Sequence, residues 1–90
     1  MKDVNVKEVL APVFEKLNIK PFDFTYDEEL NYYISDETFK ITDDPEEYFI
    51  VVKMSENAGD VVIGSSDGLE FFEYRKVGSI ALENDQWIIK

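Results

Sequence analysis

Twenty carboxylates dominate the groups able to move a proton or hold a cation in this chain, because histidine and cysteine are both absent. The commonest general base and the strongest nucleophile are therefore missing. What remains is a pair of carboxylates working as acid and base, as in glycoside hydrolysis. That chemistry needs one acid desolvated in a cleft. Here the acids cluster beside turn signals, at Asp27-Glu28-Glu29, Asp36-Glu37 and Asp43-Asp44-Pro45-Glu46-Glu47. Ninety residues also leave little depth for a cleft. The expectation is a chain with no catalytic residues and no cofactor.

The same oxygens are the hard-cation ligands of the sequence. Asp43, Asp44, Glu46 and Glu47 could hold calcium or magnesium weakly, but the acidic loop with its fixed glycine and distant glutamate is not present. No metal site is expected. Glycines 59, 64, 68 and 78 have neither a Walker A nor a dinucleotide-binding spacing, so no phosphate cradle is expected either.

Net charge is −11 and the isoelectric point is near 4.2. Such a surface repels nucleic-acid phosphates and anionic membranes and steers toward basic partners. Arg75 is the only arginine, which argues against direct nucleic-acid binding. The imbalance is local. Residues 1–20 carry a net +1 and residues 61–90 a net −2, whereas residues 21–60 hold twelve acids against Lys40 and Lys53 alone. Without cysteine there is no disulfide framework. Met1 to Asn5 lacks the apolar stretch of a signal peptide, and the longest apolar run, Tyr48 to Val52, is far short of the ~20 residues of a membrane span. A single cytoplasmic, soluble domain over residues 1–90 is expected.

The elements that must position the acids read as α+β: one N-terminal helix packed on a mainly antiparallel, meander-like β-sheet. Asn5 and Glu8 have capping-box spacing, and Val6, Val9, Leu10, Val13, Phe14 and Leu17 fall on one helical face. Pro12 predicts a kink, or a shorter helix beginning near Ala11, with Lys20-Pro21 ending it. Strands are expected over 22–26, 30–35, 38–42, 48–54, 60–63, 69–74, 79–83 and 86–89, with Asn84-Asp85 as a two-residue hairpin turn. Asp44-Pro45-Glu46-Glu47 is also a good helix start, but the aromatic and β-branched run that follows favours a strand. Asp27 to Ile34 is a weaker helix candidate.

If consecutive strands pair antiparallel, successive turns fall at alternating ends of the sheet. One end then collects Asp27-Glu28-Glu29, Asp43-Asp44-Pro45-Glu46-Glu47, Asp67 and Asp85, a rim of up to nine carboxylates. Asp36-Glu37, Glu56 and Asp60 fall at the other. Tyr26, Tyr32, Tyr33 and Tyr48 lie within a few residues of an acidic cluster, and aromatics flanked by charge are a common interface pattern. The expected partner-binding residues are Asp27, Glu28, Glu29, Asp43, Asp44, Glu46, Glu47, Tyr26, Tyr32 and Tyr48. Phe14, Phe71 and Phe72 are assigned to the core, Trp87 to Ile89 to core or sheet edge, and Arg75-Lys76 to a solvated pair.

In size, charge and lack of catalytic residues the chain resembles small acidic inhibitors encoded by phages and mobile elements, such as anti-restriction and anti-CRISPR proteins. Nuclease immunity proteins share the same physics. No motif carries the resemblance further. It implies an acidic protein that covers a basic surface which a nucleic-acid enzyme reserves for phosphates. A second expectation is a small structural or assembly subunit, of a virion or complex, using sheet edges and aromatics. A third, a domain whose acidity belongs to a salt-adapted host, predicts evenly spread acids.

Overall fold

A computed structural model describes residues 5–41, 46–66 and 68–90. The chain begins with two short helices set end to end, α1 (Val6–Val9) and α2 (Ala11–Leu17). Asn5 caps α1 as its spacing predicts: its Oδ1 accepts the Glu8 N–H at 3.3 Å, and its amide donates to the Glu8 carboxylate at 3.3 Å. The break falls at Leu10 because Pro12 has no N–H to continue the ladder. The helix restarts with Pro12 in the first turn of α2 and is capped at Asn18, in left-handed conformation at φ 57°. Val6, Leu10, Val13 and Phe14 are buried and face the sheet.

The sheet has seven strands: β1 (Phe24–Asp27), β2 (Tyr32–Ser35), β3 (Phe39–Lys40), β4 (Glu47–Met54), β5 (Ala58–Ser66), β6 (Phe71–Glu83) and β7 (Gln86–Ile89). All pairings are antiparallel, in the order β1-β2-β4-β5-β6-β7, and β3 also pairs with β4. The chain is thus a meander curled into a half-barrel, with α1 and α2 against one face. Residues 47–54 form a strand rather than a helix, in line with their β-branched content.

Two expected chain reversals do not occur, and both failures have a local cause. β2 lies beside residues 51–53 of β4 and β3 beside residues 47–48, in the same direction. They are one strand interrupted by Asp36-Glu37-Thr38. Buried Ser35 bridges the interruption: its hydroxyl accepts the Ile50 N–H at 2.9 Å and donates to the Glu37 carbonyl at 3.0 Å. Asp36-Glu37 is therefore a bulge, not a turn. Likewise β6 runs unbroken through residues 75–78, where two register shifts against β5 curl the sheet instead of reversing it. At Asn84-Asp85 the expected two-residue turn forms, with φ 50° and 66°.

One face of β4 gives Tyr48, Ile50, Val52 and Met54 to the helix-covered core, joined by Val61, Ile63, Ile80, Phe22 and Phe39. On the other face Val51 and Val62 pair across β4 and β5 and are also buried. A strand covered on both faces reads as the continuous apolar run seen in the sequence. Gly64 is required there, because the Phe71 ring lies where its side chain would be, 2.5 Å from a built Cβ.

Candidate partner-binding surface

Because β2 and β3 act as one strand, the acidic turns sort differently from the sequence expectation. The turns at 28–31, 55–57 and 84–85 share one end of the sheet, called upper below. Hydrogen bonds tie them together: the Met54 N–H donates to the Asn31 carbonyl at 3.0 Å and the Leu82 N–H to the Asn57 carbonyl at 2.8 Å. The lower end holds the start of β4, the end of β5 and the start of β6. Glu46 and Glu47 stand at that lower end, separated from Asp27-Glu28-Glu29 by the length of β4, about 23 Å at ~3.3 Å per residue. Glu46 and Glu47 therefore do not share a rim with residues 27–29. Asp43 and Asp44 lie outside the described residues.

The upper rim carries Asp27, Glu28, Glu29, Glu56 and Asp85. The three hairpins sit side by side in strand order, so their turns are spaced by about two strands, roughly 10 Å. Five charges over about 20 Å is a linear density near that of one DNA strand, about one charge per 3.4 Å. Glu28, Glu29 and Glu56 are exposed and make no ion pair among the described residues. Asp27 is half-buried and helps build the turn, its Oδ1 accepting the Glu29 and Leu30 N–H groups at 3.0 and 3.2 Å. Asn31 completes the turn at φ 58°: its amide donates to the Met54 carbonyl at 3.1 Å and its Oδ1 accepts the Tyr26 hydroxyl at 2.5 Å. Tyr26 and Leu30 are exposed beside these acids, at 42% and 55%. Glu83 also lies near this end, neutralised by Lys90.

The cations that neutralise acids act mostly elsewhere. Lys7 meets Asp23 at 3.5 Å, Lys20 meets Glu37 at 2.9 Å and Lys76 meets Asp60 at 3.0 Å. Lys76 is thus ion-paired rather than merely solvated. Lys53 donates to Glu73 at 2.5 Å across the face opposite the helices. This bond, outweighing partial burial, raises the Lys53 pKa above its ordinary value.

The expected tyrosines divide. Tyr26 joins the upper rim. Tyr32 is half-buried opposite Lys53 and Asp27. Tyr48 is only 3% exposed and packs in the core, 5.2 Å from the Tyr74 ring, so it cannot present itself to a partner. Phe72, expected in the core, is 49% exposed, and Tyr74 and Leu69 beside it are exposed at 54% and 93%. These three form an apolar patch at the lower end that sequence reasoning missed. Its signal was present: Phe71 and Glu73 alternate with Phe72 and Tyr74, placing aromatics on both faces of a strand whose end has one face covered. Phe71 turns to the face away from the helices, 5.4 Å from Phe49.

No group of three metal-ligating side chains comes together among the described residues, and none of their helices is long and apolar enough to cross a membrane. Comparison with protein-family models, curated proteins and solved structures gives no match.

Proposed function

We propose that this chain is a non-enzymatic acidic binding protein of the cytoplasm. Its upper rim covers a basic, nucleic-acid-binding surface on a partner protein, in the manner of phage and mobile-element inhibitors of restriction and CRISPR systems or of nuclease immunity proteins. The observation that carries this reading is the row of carboxylates on three adjoining turns, with Glu28, Glu29 and Glu56 making no ion pair among the described residues while the nearby lysines are paired to other acids. Carboxylates at near-phosphate density would exchange with nucleic acid for the same lysines and arginines. Tyr26 and Leu30 supply the apolar contact that pure charge lacks.

A second reading, a structural or assembly subunit, draws support from the exposed Leu69, Phe72 and Tyr74. Capture of partners from lysate at about 50 and 200 mM salt, with and without added duplex DNA, separates the two. A partner held by the upper rim is lost steeply with salt and displaced by DNA. A partner that resists both, and that is lost on Phe72→Ser, overturns the first reading in favour of the second.

A further inference from the structure

The described cations fall into two sets. Lys7, Lys20, Lys53, Lys76 and Lys90 each lie within 3.5 Å of a carboxylate. Lys16, Lys40 and Arg75 have no ion pair among the described residues, in a chain with twenty acids and nine bases. Scattered surface lysines would leave unpaired cations anywhere. Instead all three line one cavity of about 250 Å³ where the end of α2, β3 and β6 meet. We propose that this cavity, lined by Lys16, Lys40 and Arg75, is a binding site for a small phosphate-bearing anion.

Three features fit that ligand. Arginine offers a planar fork and the two lysines offer point charges, a set suited to the three oxygens and near-double charge of a phosphate group. The Arg75 guanidinium lies 5.8 Å from the centre of the Tyr74 ring, which steadies it by cation–π attraction. Leu17, Phe39 and Ile41 add apolar lining for a short body attached to the phosphate. The volume falls below the roughly 300–1,000 Å³ of pockets that enclose drug-sized ligands, so the body is small.

Two opposing influences are weaker. The carbonyl end of α2 carries a partial negative charge of about half a unit, but the Asn18 and Ile19 N–H groups already satisfy the Glu15 and Phe14 carbonyls at 3.1 and 3.0 Å. Glu47 stands opposite Lys40 in register, yet makes no ion pair with it. The cavity is at the end of the sheet opposite the acidic rim, so the rim does not repel the ligand at close range. The site stands independently of the partner-binding proposal.

The test is an NMR titration of the isotope-labelled full chain with inorganic phosphate and, separately, adenosine monophosphate, at ionic strength held constant with sodium chloride. Saturable shifts at the Asn18, Lys40, Ile41 and Arg75 amides are expected, with an apparent Kd on the order of 1 mM or tighter. Arg75→Gln should weaken binding roughly tenfold, as loss of charge-assisted hydrogen bonds does. Lys76→Gln, which removes a cation already paired with Asp60, should leave it unchanged. All three cations are exposed, so their variants keep the fold, which a thermal melt verifies. Tighter binding of the nucleotide, with added shifts at Phe39, assigns an organic phosphate, and equal affinity assigns the free anion. Shifts that do not saturate, that chloride reproduces, or that survive Arg75→Gln unchanged overturn the site.

Discussion

At the upper end of the half-barrel, Glu28, Glu29, Glu56 and Asp85 line three adjoining turns, and the lysine there, Lys90, is occupied by Glu83. At the lower end, Leu69, Phe72 and Tyr74 stand exposed near Glu46, Glu47 and Glu70 and beside Lys16, Lys40 and Arg75. The upper-end turns carry acids in a row, with the nearby lysines Lys53 and Lys90 paired to Glu73 and Glu83. Lower-end charge is mixed, and the apolar area is larger. The acids that crowd residues 21–60 of the sequence are thus divided between two surfaces of different character. Density of charge along a chain says little about density in space until each reversal of the chain is known.

The largest expected effect separates the two ends directly. Glu28→Lys, Glu29→Lys and Glu56→Lys together should weaken binding to a basic partner, or to poly-lysine as a stand-in, by at least about a hundredfold at low salt. The slope of log affinity against log salt should fall by roughly one for each carboxylate removed. Glu46→Lys with Glu47→Lys should cost less than tenfold. Equal losses at both ends, measured by calorimetric titration, would erase the distinction.

A smaller effect concerns how the upper rim is held. Asn31 adopts φ 58° and ties Tyr26 to Met54. Asn31→Ala combines a strained backbone with two lost hydrogen bonds and should cost about 2 kcal/mol in denaturant unfolding. Asn31→Gly relieves the backbone and should cost about half as much. If the two variants are equally destabilised, the left-handed conformation is not what the turn depends on.

The smallest effect lies between the ends. Lys53 has its folded pKa raised, so the stabilisation from its bond to Glu73 is present below the unfolded value of 10.5 and is lost as pH rises through the folded value. Both side chains are partly exposed, so the amount stays below about 1 kcal/mol. Wild type minus Glu73→Gln stability should be flat from pH 7 to 9 and shrink only in the alkaline range. A difference that changes around neutrality would point to another group.

Much of the architecture was legible in the residues themselves. The Asn5–Glu8 cap, the break before Ala11 and the Asn84-Asp85 turn each rest on short-range chemistry that one window of sequence contains. The strand character of residues 47–54 followed from β-branched content. What was not legible was whether a polar interruption reverses the chain. Asp36-Glu37 has the composition of a turn, and only its position beside β4, with Ser35 serving Ile50, makes it a bulge. Residues 75–78 resemble a loop because Lys76 and Gly78 sit there, but β5 pairs alongside them and keeps β6 extended. These long-range pairings also decided the candidate site: Glu56 joined the upper rim and Glu46 and Glu47 left it. Tyr48 was misread because its neighbours in sequence are acidic while its neighbours in space are not.

Ser35 has one more consequence. An antiparallel strand can slide along its neighbour by two residues and still keep its apolar side inward. A slip of that size would bring Tyr33 or Glu37 to the place of Ser35, and neither can serve the Ile50 N–H and the Glu37 carbonyl with one short hydroxyl. The serine works as a detent: the correct alignment clicks into place, and each misalignment leaves a buried donor stranded at a cost of about 1–3 kcal/mol. A single short hydroxyl thereby holds β2 and β3 in one alignment along β4.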